Sequence, residues 1–312
     1  MRPRALFSAP AEHWPLWRPH LLAAFAETGL DVALTDDPSG EWTFDYLIYA
    51  PGGPVSDFSA FTRLKAVLSL WAGVERIVDT VPRELPLCRM VDTGLSRGMA
   101  EYVAAHVLRY HVGLDTHVLG QDGVWRNGVV SPLAPERTVG VLGLGEIGRA
   151  VATTLALLGF DVRGWSRRPR EVPGIATFAG EGGLDAVLAA SDILVTLLPA
   201  TPGTANLLDA ARLARLPAGA RLVNPGRGSL IDDAALLDAL DSGRVAHATL
   251  DVFRTEPLPA DHPFWSHPRV TVTPHVAAET RPETASLAVA ENIRRGESGA
   301  PFLHRVDRTA GY

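Results

Sequence analysis

The stretch VGVLGLGEIGRA, residues 139–150, places an apolar run before three spaced glycines, Gly143, Gly145 and Gly148, and a helical pattern after them. In that setting each glycine has a physical task. Gly143 makes the tight turn out of a buried strand, Gly145 lets the backbone approach a pyrophosphate, and Gly148 permits close helix–strand packing. The N–H groups that open the helix, at Glu146 and Ile147, then meet the anion. A spaced set of glycines is common in α/β proteins, so the weight lies in the residues downstream of it. The pattern predicts strands at 138–143, 161–166, 193–198, 220–224, 246–252 and 270–273, with helices at 147–158, 183–190, 204–216 and 232–241. Successive βα units of this length favour a doubly wound parallel sheet that binds a dinucleotide.

Working outward, the first hundred residues repeat the alternation with shorter runs. Strands are predicted at Arg4–Ala9, Asp31–Thr35, Tyr46–Ala50, Ala66–Leu70 and Leu87–Val91, and a helix at Trp14–Glu27 closed by Gly29. This is a second parallel sheet with crossover helices. A long helix is expected over Ser96–Leu119, followed by a Gly/Asn/Pro-rich arm at Gly120–Pro135. After His275 a last helix opens with a capping box, Thr280 as cap, Pro282 in the first turn and Glu283 at N3. Because this helix comes after the second sheet is complete, it is expected to finish the first domain. The expected division is a first domain over 1–101 completed by 282–312, and a dinucleotide domain over 102–281, with the interdomain helix and arm across 97–137.

Composition narrows the classes. The 312 residues suit two domains. With 29 basic and 35 acidic side chains, net charge -6, no basic excess exists to draw in nucleic acid or an anionic membrane. The single cysteine, Cys88, has no partner for an intrachain disulfide or a Cys-pair metal site. The proline-broken start builds no signal-peptide run, and every longer apolar stretch is interrupted by charge, Gly or Pro. A cytoplasmic protein without a membrane span is expected.

The second strand of the dinucleotide unit, DVRGWSRRP at 161–169, bears on cofactor choice. An NAD-selective site ends this strand with an acidic residue for the adenosine ribose. Here Asp161 stands at the wrong end, and the carboxyl end carries Ser166, Arg167 and Arg168. Lys65 is the only lysine among the 29 basic residues, so arginine pairs arise by chance and this one is informative through its position alone. That position favours a pocket for the 2′-phosphate of NADP(H) over a solvated turn, with NAD(H) as the alternative.

Three further stretches lie just beyond apolar strands: LVNPGRGSLID with Arg227, LDVFRTEPLP with Asp251 and Glu256, and VTVTPHVAAETRP with His275. Arginine offers a planar fork for a carboxylate, and histidine exchanges a proton near neutral pH. Together with the glycine loop and the closing VDRTAGY, these stretches closely resemble the D-isomer-specific 2-hydroxyacid dehydrogenases over essentially the whole chain. The branch that looks nearest is the bacterial glyoxylate/hydroxypyruvate reductases. The resemblance implies a flavodoxin-like substrate domain, a Rossmann domain and an active site in the cleft between them. It implies that Arg227 holds the carboxylate and carbonyl oxygen of a small 2-keto acid, that His275 donates the proton, and that Glu256 orients the imidazole and raises its pKa. It places Asp251 beside the nicotinamide carboxamide and adds Leu198, Pro199, Thr204, Pro225 and Gly226 to the cofactor contacts.

In the first domain, LKAVLSLWAGVERI resembles the family loop that receives the substrate carboxylate on backbone N–H groups, at Ala72, Gly73 and Val74. Trp71 departs from the small residue expected there and either narrows the pocket or turns into the core. Pro225–Gly226 before Arg227 departs as well, in place of small residues such as Ala. The segment CRMVDTGLSRGMAEYVAAH resembles the lead into an interdomain helix that, with its arm, embraces a second subunit. A homodimer is implied, with Met99, Tyr102 and Trp125 as interface or core residues. The expected activity is NADPH-dependent reduction of glyoxylate to glycolate and of hydroxypyruvate to D-glycerate. The alternatives are a reductase for another 2-keto acid, such as a phenylpyruvate-type compound, and a dinucleotide-sensing, corepressor-like binding protein.

Overall fold

The structure, a computed structural model, describes residues 2–39, 43–118, 120–128 and 130–311. Leu119, the predicted end of the long helix, lies outside the described residues, as do the ends of the expected first domain, Met1 and Tyr312. The chain divides into two compact units, Met1–Leu95 with Thr280–Tyr312, and Ser96–Glu279.

The first unit carries β1 (Arg4–Ser8), α1 (Trp14–Glu27), β2 (Ala33–Thr35), β3 (Tyr46–Tyr49), β4 (Ala66–Ser69) and β5 (Leu87–Cys88). Its strand order, β2-β1-β3-β4-β5, is parallel throughout and is the flavodoxin-like order. Leu6, Leu47, Ile48 and Leu68 are buried because helices and loops cover both faces of the sheet. One face packs against Trp17, Leu21 and Phe25 of α1 and against Ala285, Val289 and Ile293 of the C-terminal helix Pro282–Ser298. The spacing of four puts those three residues on one stripe. The expected capping box does not form. Arg281 is the cap residue and makes no side-chain cap bond. The Thr280 hydroxyl donates instead to the Leu70 carbonyl at 2.7 Å, and Glu283 pairs with His20 at 3.7 Å.

In the second unit, α2 (Thr93–His111) buries Met99, Ala100, Val103, Val107 and Tyr110 in one cluster with Val139, Val141 and Leu155. This packing puts the division at 95/96, ahead of the expected 101/102. The long predicted helix stops at Gly113, φ +65°, and resumes as α3 (Leu114–Val118). Then come β6 (Thr138–Leu142), α4 (Glu146–Leu157), β7 (Asp161–Ser166), β8 (Ala176–Ala179), α5 (Gly180–Ala190) and β9 (Ile193–Thr196). α6 (Ala210–Leu213), β10 (Ala220–Asn224), α7 (Asp233–Asp241), β11 (Val245–Leu250) and β12 (Val270–Val272) complete it. The order β12-β11-β10-β9-β6-β7-β8 is parallel, a Rossmann order with one further strand, and its direction reverses between β6 and β9.

Two elements depart from expectation. β8 is an edge strand with no buried residue, so it lacks the apolar signal of its neighbours. The helix expected at 204–216 shrinks to the single turn of α6. Ahead of it, Thr204 Oγ donates to the Pro199 carbonyl and accepts from Thr201 N, and Asn206 sits at φ +50°. These turn bonds leave no room for a helical start before Asp209, whose carboxylate caps α6.

Candidate active site

Because the second sheet is parallel, the loops after β6, β7, β9, β10, β11 and β12 all leave from its carboxyl edge. At the reversal point, Gly143 takes φ +106°, and a Cβ there would lie 2.8 Å from the Leu197 carbonyl oxygen. A Cβ on Gly148 would fall 1.7 Å from the Gly143 oxygen, so α4 can approach the turn this closely only with glycine. Gly145 is the N-cap of α4 with no side-chain cap, and its missing Cβ would meet nothing within 4 Å. Open space over the uncapped first turn, at Gly145, Glu146 and Ile147, is a cradle that fits a pyrophosphate.

At the end of β7, Arg167 and Arg168 are exposed, as a phosphate pocket needs. Ser166 departs from its expected part, since it is buried and its hydroxyl donates to the Arg168 carbonyl at 2.7 Å. It shapes the turn. Arg170, which sequence reading passed over beyond Pro169, reaches the Leu144 carbonyl of the glycine loop at 3.4 Å. Leu198 is buried beside Gly143, and Thr204 is spent on the Pro199 turn, so both build the wall after β9.

Arg227 follows β10 and is half-buried, with Nη1 donating to the Gly226 carbonyl at 2.6 Å. Pro225 and Gly226 are buried, and a Cβ on Gly226 would lie 2.7 Å from the Thr196 oxygen. Two residues that sequence reading missed fix this loop. The buried Asn224 amide accepts from Thr196 Oγ at 2.6 Å and Gly226 N at 3.1 Å, and donates to the Arg227 carbonyl at 3.0 Å. Gly228 lies against the next loop, where a Cβ would come within 2.1 Å of the Phe253 carbonyl carbon. The loops after β10 and β11 are therefore in backbone contact.

Glu256 and His275 meet. The imidazole Nδ1 donates to Glu256 Oε2 at 2.8 Å, and Glu256 Oε1 accepts from Phe253 N at 2.9 Å. The carboxylate is thus held by its own loop, with its side chain 25% exposed, while the histidine side chain is 51% exposed. With Nδ1 engaged, Nε2 is left as the group that can give a proton outward. His275 itself sits at φ +56°, the left-handed region. Asp251 is wholly buried, and its carboxylate accepts from the Thr273 hydroxyl, Val276 N and Ala277 N. These bonds make it a buttress of the histidine loop.

The loop Trp71–Val74 follows β4 in the first unit. Trp71 packs partly buried against that unit's core, and its N–H donates to the buried Ser69 hydroxyl at 3.1 Å. The side chain of Val74 is buried, while Ala72 and Gly73 are half-exposed. Of the helix and arm residues, Met99 is buried, Tyr102 bonds Thr273, and Trp125 is 88% exposed.

Comparison with known proteins gives one answer. Residues 103–277 match the family model described as "D-isomer specific 2-hydroxyacid dehydrogenase, NAD binding domain". Glyoxylate/hydroxypyruvate reductase A of Yersinia enterocolitica is 43% identical over 281 residues, 86% of this chain and 88% of that protein. A D-isomer-specific 2-hydroxyacid dehydrogenase of Xanthobacter autotrophicus Py2, solved with NADPH and MES, superposes with a TM-score of 0.92 at 41% identity over 100% of both chains. The NADPH-dependent glyoxylate/hydroxypyruvate reductase of Sinorhizobium meliloti, solved with NADP and sulfate, gives a TM-score of 0.86 at 35% identity, covering 99% of this chain and 100% of that one.

Proposed function

The chain belongs to the D-isomer-specific 2-hydroxyacid dehydrogenase family, and on that premise we propose that it reduces glyoxylate and hydroxypyruvate with NADPH. The observation that carries this reading is the Glu256–His275 pair on the same sheet edge as Arg227 and the glycine cradle. A dinucleotide sensor would need the cradle alone.

When bound, the reduced nicotinamide supplies a hydride to the keto carbon. Gly145, Glu146 and Ile147 would hold its pyrophosphate, and Arg167 and Arg168 would take the 2′-phosphate, while Arg170 braces the glycine loop at the Leu144 carbonyl. Arg227 takes the substrate carboxylate and carbonyl oxygen in its planar fork. The loop Ala72–Val74 offers backbone N–H groups of the kind that receive a carboxylate. His275 Nε2 gives its proton to the carbonyl oxygen as charge develops there, and Glu256 steadies the imidazolium that precedes the transfer. We include a homodimer in this reading, on the exposed Val124, Trp125, Val130 and Leu133 of the arm, and a cytoplasmic location, in keeping with the free, buried Cys88.

The test is a panel of 2-keto acids, glyoxylate, hydroxypyruvate, pyruvate and phenylpyruvate, assayed by oxidation of NADPH and of NADH as kcat/KM. The expected result is preference for the two small acids with NADPH. Higher efficiency with phenylpyruvate, or turnover of none, overturns the proposal.

A further inference from the structure

Asp251 accepts hydrogen bonds on both carboxylate oxygens: Oδ1 from the Thr273 hydroxyl at 2.6 Å and Val276 N at 2.9 Å, Oδ2 from Ala277 N at 2.9 Å. A hydroxyl has one proton, and Thr273 gives it to this carboxylate. In the 2.6 Å contact between Thr273 and Tyr102 the tyrosine is therefore the donor. Burial pushes the Tyr102 hydroxyl up to about 12, so it keeps that proton across the working range. The backbone closes the same clasp, since His275 N donates to the Asp251 carbonyl at 2.8 Å.

All of these bonds grip the segment 273–277, and His275 stands in its middle at φ +56°. A non-glycine residue holds that conformation only where its surroundings over-determine it. The bonds from Asp251 and Tyr102 are those surroundings. Asp251 is 0% exposed, so water does not compete for the bonds that it makes to this segment.

We propose that Tyr102, Thr273 and Asp251 form a positioning relay that runs from α2 to the histidine loop and fixes the direction of His275 Nε2. Asp251 acts on His275 through the backbone of its neighbours. The relay rests on the reductase reading of the same site and adds to it the helix that sets the proton donor.

The experiment compares Thr273→Val, which keeps the shape and removes the hydroxyl, with Thr273→Ser and Tyr102→Phe. Two readouts are used, steady-state reduction of glyoxylate with NADPH, and the imidazole NMR resonances of isotope-labelled histidine in the cofactor-free protein. Thr273→Val is expected to lose about 10- to 100-fold in kcat, as a misaimed catalytic group does, with KM for NADPH within about twofold. The His275 resonances should shift or broaden, and Thr273→Ser should recover most of both effects. Tyr102→Phe should follow in the same direction more weakly, and it decides the matter if the valine variant does not fold. Unchanged kcat and unchanged His275 resonances overturn the relay. So does a raised KM for NADPH at full kcat, which would make the three residues a binding element and leave the aim of His275 to other contacts. A wild type inactive on every keto acid overturns the reductase reading, and the NMR arm still reports on the relay.

Discussion

Glu256 grips His275 at Nδ1, the ring nitrogen opposite Nε2: the carboxylate lies 2.8 Å from Nδ1 and is itself anchored on Phe253 N. The pair therefore fixes tautomer and aim together. Glu256→Gln keeps the size and the Phe253 bond and removes the charge. Losing one charge-assisted hydrogen bond, about 1.5–3 kcal/mol, predicts a fall in kcat of roughly 10- to 150-fold. His275→Ala should cost about 100-fold or more. In both variants NADPH binding, followed by fluorescence titration, should stay near wild type. Wild-type kcat in the histidine variant removes the proposed mechanism.

Arg227 is aimed by Asn224 and a glycine on either side, and its proposed work depends on a planar fork. Arg227→Lys retains charge but cannot make two parallel bonds to a carboxylate. Most of kcat/KM for glyoxylate should be lost. A lysine variant of near wild-type efficiency would mean that a point charge suffices.

Gly228 offers a prediction about stability. Alanine there would put a methyl 2.1–2.5 Å from the backbone of Phe253 and Arg254, and backbone cannot swing away as a side chain does. Overpacking of this kind costs about 1–3 kcal/mol or more. Gly228→Ala should show a clearly lower urea midpoint, and activity should fall with it because the Glu256 loop is what gives way. An unaltered midpoint would show that the two loops separate freely.

For the cofactor, Arg167→Ala should raise KM for NADPH by roughly 10- to 150-fold and change NADH kinetics little. Added salt should narrow the NADPH advantage, because exposed phosphate–arginine pairs are screened. Kinetics with both cofactors at low and high ionic strength check this. Equal use of NADH and NADPH by the wild type would reduce these arginines to surface charges.

Acid should loosen the second unit before its carboxylates titrate. Burial pushes His247 down to about 4 from 6.5, and lowers His106 in the same direction. Below about pH 6.5 the unfolded chain binds protons that the folded chain refuses, so stability is complete above that pH and declines on the way to about 4. Near pH 5.5 His247 alone should cost about 1 kcal/mol, and His106 acts in the same direction. Urea unfolding at about pH 7.5 and 5.5 measures it, and His247→Gln should flatten the difference. No change between the two pH values would mean that the imidazole is hydrated.

Much of the fold was legible in the chain because its signals are local. Trp14–Glu27 and Asp161–Ser166 fall where periodicity and punctuation put them, and the glycine loop carries its own turn chemistry. The region after Pro199 misled because Leu207, Leu208, Leu213 and Leu216 have helical spacing, yet the Thr201–Thr204 turn is stronger than the pattern. Thr280 misled likewise, since its competitor for the hydroxyl, the Leu70 carbonyl, is distant in sequence. Asn224 and Gly228 gave no signal at all: their partners, Thr196 and Phe253, are brought to them only by strand order and loop approach. Asp251 is legible from its place at a strand end, but its bonds to Thr273, Val276 and Ala277 are not, because burial is a property of the finished fold.

The stripe of Ala285, Val289 and Ile293 completes the first unit with residues made only after the whole second unit. On the ribosome the second unit is contiguous and can fold as soon as it emerges, whereas the first sheet must wait, covered on that face by α1 alone, until the helix after the second unit has been made. Biosynthesis thus inverts the usual order of maturation from the N-terminus. A transcript cut just after the second unit would yield that unit, folded, tethered to a sheet with apolar surface still open, a species for chaperones and proteases to find.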